Sequence, residues 1–148
     1  MDIRLATGID ADALVVFNQA MAMETEGKTL DPLRIMPGVS AVFGDEKKGF
    51  YVVAEQDAKI VGGLMVTYEW SDWRNAWFWW IQSVYILPEA RGTGLYRRMY
   101  DFVKQRAAEA GNVCGFRLYV ENDNYHARKV YDGVGMQASH YLMYEEEV

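Results

Sequence analysis

A short loop that contains two glycines is the first part of the sequence whose residue types could bind a ligand. Residues 88–96 read Pro-Glu-Ala-Arg-Gly-Thr-Gly-Leu-Tyr and lie between an apolar run and a segment of helical periodicity. Gly92 and Gly94 allow a tight backbone turn, so that several N–H groups point to one place at the positive end of the following helix. That arrangement suits an anion, and phosphate in particular. Because a two-glycine turn is weak evidence by itself, an ordinary strand-to-helix connection with a solvated basic helix face remains the other interpretation.

A second stretch, residues 124–136, places a phenol two turns along a predicted short helix. It reads Asn-Tyr-His-Ala-Arg-Lys-Val-Tyr-Asp-Gly-Val-Gly-Met. Asn124 is a typical residue at a helix N-terminus, and Ala127 is small enough for a ligand to approach. Tyr131 could donate a proton to a leaving group, or it could pack in the core with its hydroxyl hydrogen-bonded nearby.

Aromatic and acidic residues gather in one part of the chain. All five tryptophans fall between residues 70 and 80, close to Glu69 and Asp72. A protonated amine is attracted both to aromatic faces and to carboxylates, so this composition suits a cationic ligand. Trp70 and Trp73 are predicted at a pocket rim or a subunit interface. The three later tryptophans are more typical of core or dimer packing: Trp77, Trp79 and Trp80.

Composition and charge argue against several classes of function. A net charge of −6 is unfavourable for nucleic-acid or membrane-surface binding. His126 and His140 lie in different predicted elements without a third ligand at metal spacing, so we expect no metal site. Cys114 has no paired histidine and is expected to be a structural thiol. A single cysteine, with no long apolar run and no signal-peptide pattern, predicts a cytoplasmic protein.

The chain of 148 residues suits a single domain, 1–148, and its hydrophobic periodicity predicts the elements in order. Strands are predicted over 2–6, 49–56, 60–70, 77–87, 114–121 and 138–145. Helices are predicted from an N-cap at Asp10 to Met21, and over 31–43, 93–110 and 124–133. The order β-α-α-β-β-β-α-β-α-β is typical of a mixed α/β fold. Its central βαβ unit requires two parallel strands, whereas the hairpins before it require antiparallel partners, so we expect one mixed sheet.

The two motifs, within this succession of elements, resemble the GNAT superfamily of acyl-CoA-dependent N-acetyltransferases. ARGTGLY is similar to the family's R/Q-x-x-G-x-G/A loop, and residues 124–136 are similar to its N-x-x-A-x-x-x-Y-x-x-x-G-M helix. The resemblance runs from the opening strand to Met136. It implies the GNAT fold, in which the two parallel strands splay apart and the thioester of acetyl-CoA lies in the gap. It also implies direct attack by an amine in a ternary complex, with no covalent enzyme intermediate.

The resemblance implies roles for individual residues as well. Asn124 would hydrogen-bond the pantetheine end of the cosubstrate, Ala127 would leave room for it, and Tyr131 would protonate the departing thiolate of CoA. Main-chain groups of three consecutive residues would pair with the pantetheine arm as another strand would: Val84, Tyr85 and Ile86. The loop and the first helical turn would hold the diphosphate: Arg91, Gly92, Thr93, Gly94, Leu95, Tyr96 and Arg97.

Two positions depart from the family pattern. Tyr96 stands where glycine or alanine is usual, so its side chain either turns outward or crowds the diphosphate. Gln82 stands where a carboxylate often draws a proton from the amine, and an amide cannot act as that base. The remaining routes for the proton are solvent or one of four carboxylates: Glu69, Asp72, Glu24 and Glu26.

These features predict transfer of an acetyl group from acetyl-CoA to a primary amine of a small cationic molecule, such as a polyamine, an amino acid or an aminoglycoside. Similarity to the polyamine (diamine) acetyltransferases is distant. The acceptor is expected to meet five residues: Glu24, Glu26, Trp70, Trp73 and Gln82. A protein N-terminus or lysine as the acceptor, and a non-catalytic acyl-CoA sensor, are the alternatives. Homodimers are common among similar proteins, and we expect no nucleic-acid, membrane or metal partner.

Overall fold

A sheet of five strands carries the fold. The computed structural model describes all residues, 1–148. Strands β1 to β5 span Asp2–Leu5, Phe50–Gln56, Lys59–Ser71, Ala76–Ile86 and Val113–Arg117. Helices α1 to α4 span Ala11–Glu26, Pro32–Gly44, Leu95–Ala110 and Tyr125–Gly133, and short 3-10 turns lie at Gly8–Asp10 and Pro88–Ala90. The chain forms two compact units, residues 1–118 and 119–148.

The strands follow chain order across the sheet, β1-β2-β3-β4-β5. The first three pairings are antiparallel, whereas β4 pairs with β5 in parallel, with α3 as the crossover between them. The expected mixed α/β class and its central βαβ unit are confirmed. A two-residue turn joins β2 to β3, in which Asp57 and Ala58 have φ angles of 51° and 60°. A turn whose two central residues both have positive φ angles matches the twist of the two strands that flank it in a hairpin.

Helices cover both faces of the sheet, as two consecutive glycines of β3 show. A Cβ added at Gly62 would lie 3.4 Å from Leu95 of α3, and one added at Gly63 would lie 3.0 Å from Leu14 of α1. Because successive strand residues face opposite sides, α3 and α1 pack on opposite faces. The strand β2 is fully buried over 52–54, as expected for a strand covered on both faces.

Asp10 lies at the start of α1, but its side chain does not cap the helix. Its carboxylate makes no capping bond to α1. Instead Arg4 donates to its two oxygens at 2.8 and 3.0 Å, and the Thr7 amide donates to it at 2.8 Å. Arg4 also donates to Glu55 of β2 at 2.9 Å. The N-cap position at Asp10 is confirmed, but its side chain makes no capping bond because an arginine on β1 offers a stronger, charge-assisted partner.

Several element boundaries differ from those expected, and one expected strand is absent. The strand β5 ends at Arg117 rather than at 121, and α3 begins at Leu95 rather than at 93, since Gly94 before it takes a left-handed conformation. The strand expected over 138–145 does not form. That segment contains no Val, Ile or Thr, and those residues favour strands most strongly together with aromatic ones. Two tyrosines and a pattern of apolar residues were therefore insufficient evidence for a strand.

The chain contains no helix that combines sufficient length with the hydrophobicity needed to span a bilayer. No group of three or more His, Cys, Asp or Glu side chains is arranged to hold a metal ion. The single cysteine, Cys114, is an exposed free thiol.

Candidate active site

The glycine loop between β4 and α3 has the backbone geometry that its sequence predicts. Gly92 and Gly94 have φ angles of 74° and 78°, in the left-handed region. Thr93 fixes the turn, because its Oγ1 donates to the Ala90 carbonyl at 2.8 Å. A Cβ added at either glycine would meet nothing within 4 Å, so space is open beside the loop. The loop leads directly into the first turn of α3, whose amides have no carbonyl partner four residues earlier and so favour an anion.

Arg91 ties this loop to two other elements. Its Nε donates to the Ile86 carbonyl at the end of β4 at 2.8 Å, and its Nη2 donates to Glu24 of α1 at 3.0 and 3.1 Å. The guanidinium also lies over the ring of Tyr85, 5.3 Å from its centroid. Arg91 is thus positioned at the loop, as expected. Glu24, assigned to the acceptor, pairs with Arg91 instead of standing unpaired toward a substrate.

The side chain of Tyr96 points neither to solvent nor over the glycine loop. Its side chain is 6% exposed and stacks on Tyr100, with ring centroids 6.1 Å apart and an interplanar angle of 12°. It therefore belongs to the buried face of α3, with Leu95 and Met99. The bulky residue at this family position leaves the loop open, because its ring points into the protein.

The end of β4 has one unpaired edge. The ladder between β4 and β5 stops at the pair Trp80–Arg117, although β4 continues to Ile86. Within this stretch Ser83 and Val84 lie opposite the single residue Leu64 of β3, which makes a β-bulge. Ser83 has a φ of 52°, and a bulge of this kind bends its strand and redirects the neighbouring groups. The backbone of 84–86 thus lies along an edge that no strand occupies, next to the glycine loop.

The bulge at Ser83 was not anticipated from the sequence. Serine is not a residue type that predicts a left-handed backbone conformation, since most such positions are glycine, asparagine or aspartate. The pair Gly62-Gly63 on the facing strand was the one available signal, because glycines inside a strand often accompany a bulge.

Glu69, one of the expected bases, is held by two donors. Its Oε1 accepts from Arg117 Nη1 at 2.8 Å and from Trp80 Nε1 at 3.0 Å. Gln82 lies on the same face of the sheet and donates through Nε2 to Thr67 Oγ1. This face therefore carries a chain of polar contacts across three strands, with the carboxylate of Glu69 at its centre.

The tryptophans divide between core and surface. Trp79 is 8% exposed and packs edge-on to Phe50, with centroids 5.3 Å apart. Trp77 packs edge-on to Trp70 at 5.0 Å, and Trp70 is half exposed. Trp73 is 90% exposed in the turn between β3 and β4, beside the exposed Asp72. The packing interpretation fits Trp79, and the surface interpretation fits Trp70 and Trp73.

Two open clefts lie away from the loop, at the C-terminal end of α3. One of about 360 Å³ is lined by Phe50, Tyr68, Trp79, Arg106, Glu109 and Ala110. The other shares Phe50, Tyr68 and Arg106 with it and extends toward α2. Neither cleft includes a residue of the loop or of the unpaired end of β4, so the candidate site is described by the backbone geometry of those two segments.

In the C-terminal unit, α4 has the predicted cap and a phenol on its less exposed side. Asn124 Oδ1 accepts from the Ala127 amide at 3.1 Å, which leaves Nδ2 as the donor for a ligand. Ala127, Val130 and Tyr131 are partly buried, whereas the other residues of the helix are exposed. Burial raises the pKa of Tyr131 above its ordinary value, so the phenol keeps its proton at neutral pH.

Comparison with protein-family models decides what kind of protein this is. The model of the acetyltransferase (GNAT) family matches residues 17–136. The chain belongs to the GNAT acetyltransferase family. It is an acetyl-CoA-dependent N-acetyltransferase, and the fold expected from the two motifs is confirmed.

Solved structures place this GNAT acetyltransferase among similar folds. A possible acetyltransferase from Clostridium difficile 630 is 44% identical, with a TM-score of 0.91 over 99% of this chain and 97% of that one. A predicted acetyltransferase from Clostridium acetobutylicum, solved with acetyl-CoA, is 18% identical, with a TM-score of 0.80 over 98% and 95% of the chains. AAC(6′)-Iy, in complex with a bisubstrate analogue of CoA and acetylneamine, is 11% identical, with a TM-score of 0.80 over 99% and 97%. The last two likenesses show the fold alone. Comparison with curated protein sequences finds no significant match.

Proposed function

We propose that this GNAT acetyltransferase transfers the acetyl group of acetyl-CoA to a primary amine of a small acceptor that is cationic at neutral pH. The observation that carries the proposal is the position of the glycine loop beside the unpaired end of β4. Gly92 and Gly94 hold the loop in a left-handed conformation next to open space, and the backbone of 84–86 lies along a free strand edge. An anion site and a free strand edge suit the two ends of a long ligand that carries a diphosphate and amide groups.

In this proposal the amides of residues 92–97 hold the diphosphate, since these groups lie at the positive end of α3. Arg91 adds positive charge there, and its guanidinium is positioned by the Ile86 carbonyl and by Glu24. Val84, Tyr85 and Ile86 offer their main-chain groups to the pantetheine arm. The bulge at Ser83 marks the place where the arm would end, and β4 is paired with neighbours on both sides only from Trp80 toward its start.

The transfer itself forms one bond and breaks one. The neutral amine attacks the thioester carbon, a C–N bond forms, and the C–S bond breaks with its electron pair on sulfur. Tyr131 gives its phenolic proton to the departing thiolate, and Asn124 Nδ2 and Ala127 position the pantetheine end beside it. Because burial raises the pKa of Tyr131 and a free thiol has a pKa of about 8.5, this proton transfer is not strongly downhill. Positioning of the reacting groups must therefore supply much of the rate.

The acceptor nitrogen loses one proton before the attack and a second as the C–N bond forms; both pass to solvent or through Asp72, and solvent returns a proton to Tyr131. Gln82 has no basic group, and the other expected carboxylates are paired: Glu24 with Arg91, Glu26 with Lys28 at 3.5 Å, and Glu69 with Arg117. Asp72 in the β3–β4 turn pairs with no basic side chain, and Trp70 and Trp73 lie near it at the exposed end of the hairpin.

The exposed rings of Trp70 and Trp73 also suit a contact between two subunits, and we include a homodimer in the proposal. One free thiol and no disulfide suit the cytoplasm.

A thiol-release assay tests the proposal. The protein is mixed with acetyl-CoA and, in turn, with a diamine, an amino acid, an aminoglycoside and a lysine-containing peptide, and CoA is measured with a thiol reagent. We expect amine-dependent release with a small acceptor and a loss of about 100-fold in kcat for Tyr131→Phe, the size of a typical general-acid contribution. Release with the peptide alone would assign a protein acceptor, and no release with any amine, from a protein that binds acetyl-CoA, would assign a sensor.

A further inference from the structure

The acidic residues expected to attract a cationic acceptor are mostly neutralised within the protein. Arg91 lies 3.0 Å from Glu24, Lys28 lies 3.5 Å from Glu26, and Arg117 lies 2.8 Å from Glu69. A polyamine presents two or more ammonium groups, and each would need a carboxylate or an aromatic face of its own. Of the four carboxylates, Asp72 alone pairs with no basic side chain, so the surface does not suit a highly charged cation.

Two guanidinium groups lie on the same part of the sheet. The Arg117 guanidinium lies 3.6 Å from the centroid of the Phe78 ring, and that of Arg74 lies 4.9 Å from it. Arg117 is fixed further by Glu69, which accepts from a single nitrogen of it, Nη1. Arg74 pairs with no carboxylate. Because a guanidinium has five N–H donors, both arginines keep donors for an anion.

The strand register shows where these groups lie relative to the gap beside β4. Glu69 is opposite Phe78, Thr67 is opposite Trp80, and Trp80 is opposite Arg117, so all five side chains share one face. Gln82, which donates to Thr67, is on that face too. Arg117 is in the last pair of the β4–β5 ladder, and Gln82 lies two positions along β4 from its partner Trp80, about 7 Å away. The end of the ladder at Arg117 is therefore about one small molecule away from Gln82.

We propose that the acceptor is an amine that also carries a carboxylate, as amino acids and short peptides do. This rests on the acetyl transfer proposed above, but it assigns a zwitterionic acceptor in place of a net cation. Arg117, with Arg74 beside it, binds the carboxylate, and the amine lies toward Gln82 and the gap. A guanidinium matches the two oxygens of a carboxylate, and the Phe78 ring and Glu69 hold Arg117 in place, so little side-chain freedom is lost on binding. Glu69 is in this account a positioning residue rather than the base.

The test compares an α-amino acid with its own primary amide, which has the same side chain and amine but no negative charge. Values of kcat/KM are measured for both acceptors with the wild-type protein and with Arg117→Gln. Because the amide also changes the pKa of the amine, the informative quantity is the change in the acid-to-amide ratio between the two proteins. We expect that ratio to fall about 10- to 100-fold in the variant, the loss expected for a charge-assisted hydrogen bond. Arg106→Gln, on the opposite face, is the control and should leave the ratio unchanged.

Two further measurements keep the result interpretable. Arg74→Gln alters only the exposed turn, so it replaces Arg117→Gln if that variant does not fold, and it should lower the ratio in the same direction. Arg117→Lys should restore part of the ratio, since it keeps the charge but loses the forked geometry. A ratio that is the same in wild type, Arg117→Gln and Arg74→Gln, with both acceptors acetylated, would overturn the assignment of the carboxylate. Absence of any acetylation, despite binding of acetyl-CoA, would instead overturn the proposed transfer on which it rests.

Discussion

Arg91 Nη2 lies 3.0 Å from one carboxylate oxygen of Glu24 and 3.1 Å from the other, so the last turn of α1 is joined to the loop before α3. The same guanidinium donates to the Ile86 carbonyl at the end of β4. Three elements thus meet at one side chain beside the proposed diphosphate site. We therefore propose that Glu24 supports the cosubstrate site through Arg91, as an alternative to the contact with the acceptor that the sequence predicts.

Glu24→Gln separates these two roles. Without its charged partner, Arg91 is less well fixed, and we expect acetyl-CoA to bind about two- to fivefold more weakly, the usual size of an exposed ion pair. The KM of the acceptor should stay within twofold of wild type. Titration calorimetry and steady-state kinetics measure the two effects. A rise in the acceptor KM with unchanged acetyl-CoA affinity would return Glu24 to the acceptor site.

The pH dependence of the rate follows from the proton positions. The acceptor amine must lose a proton before it attacks, so kcat/KM should rise with pH as the amine is deprotonated. Tyr131 must keep its proton, and burial raises its pKa above 10, so its deprotonation should lower the rate only at still higher pH. We expect a single ascending limb across pH 6–9. A descending limb that appears below pH 9 and disappears in Tyr131→Phe would contradict the raised pKa of Tyr131, whereas a rate and pH profile unchanged in Tyr131→Phe would contradict the assigned proton donor.

The ion pair between Arg4 and Asp10 should make the stability depend on pH. Arg4 holds the pKa of the buried Asp10 carboxyl below its ordinary value. A lowered folded pKa means that the stabilisation is present above the unfolded pKa near 3.9 and is lost as pH falls through the folded pKa. At pH 7, Asp10→Asn should lower the free energy of unfolding by about 2–3 kcal/mol.

Urea unfolding at pH 7 and near pH 2.5 measures that difference. The gap between wild type and Asp10→Asn should shrink at the lower pH, where the wild-type carboxyl becomes protonated. Asp12→Asn is the matched control, because Asp12 is exposed on the first turn of α1 and should change stability by well under 1 kcal/mol. An equal gap at both pH values would show that the ionised pair is not the source of the stabilisation.

Ala58 occupies a backbone conformation that costs an alanine free energy. Its φ of 60° lies in the left-handed region, which is disfavoured by about 1–2 kcal/mol for residues with a Cβ. Ala58→Gly should therefore stabilise the protein, by about 0.5–1 kcal/mol after the greater freedom of glycine in the unfolded chain is counted. Ala108→Gly, at an exposed position inside α3, should do the opposite. Thermal unfolding of both variants measures the direction of each change in stability. A lower midpoint for Ala58→Gly would show that the left-handed conformation of Ala58 does not destabilise the turn.

The sequence predicted those parts of the fold that depend on the residue pattern within a single strand, turn or helix. The alternation over β2 and β3, the turn at Asp57, and the helical stripe of Leu95, Met99 and Val103 all appear where the sequence placed them. The family relationship and its two motifs were predictable for the same reason, because the glycines at 92 and 94 and the residues of α4 are contiguous in the chain.

Features that depend on contacts between distant residues were not predictable. Asp10 has the sequence of a helix cap, but Arg4 on β1 competes for it. Glu69 is a carboxylate that the sequence offers as a base, and its hydrogen bond from Arg117, 48 residues further along the chain, could not be read from its neighbours in sequence. The bulge at Ser83 depends on the register of β3 against β4, which one strand alone cannot specify.

The central claim is that main-chain groups of the loop at Gly92 and Gly94 bind the diphosphate of acetyl-CoA, and titration calorimetry tests it most directly. The folded wild-type protein should bind acetyl-CoA, and Gly94→Val should weaken that binding at least tenfold, since a β-branched side chain cannot hold a φ of 78° without strain. Gly38→Ala in α2, where the backbone is helical and an added Cβ meets nothing within 4 Å, should bind as wild type does. Wild-type affinity in a folded Gly94→Val, or no heat from the wild type at roughly millimolar ligand, would contradict the account.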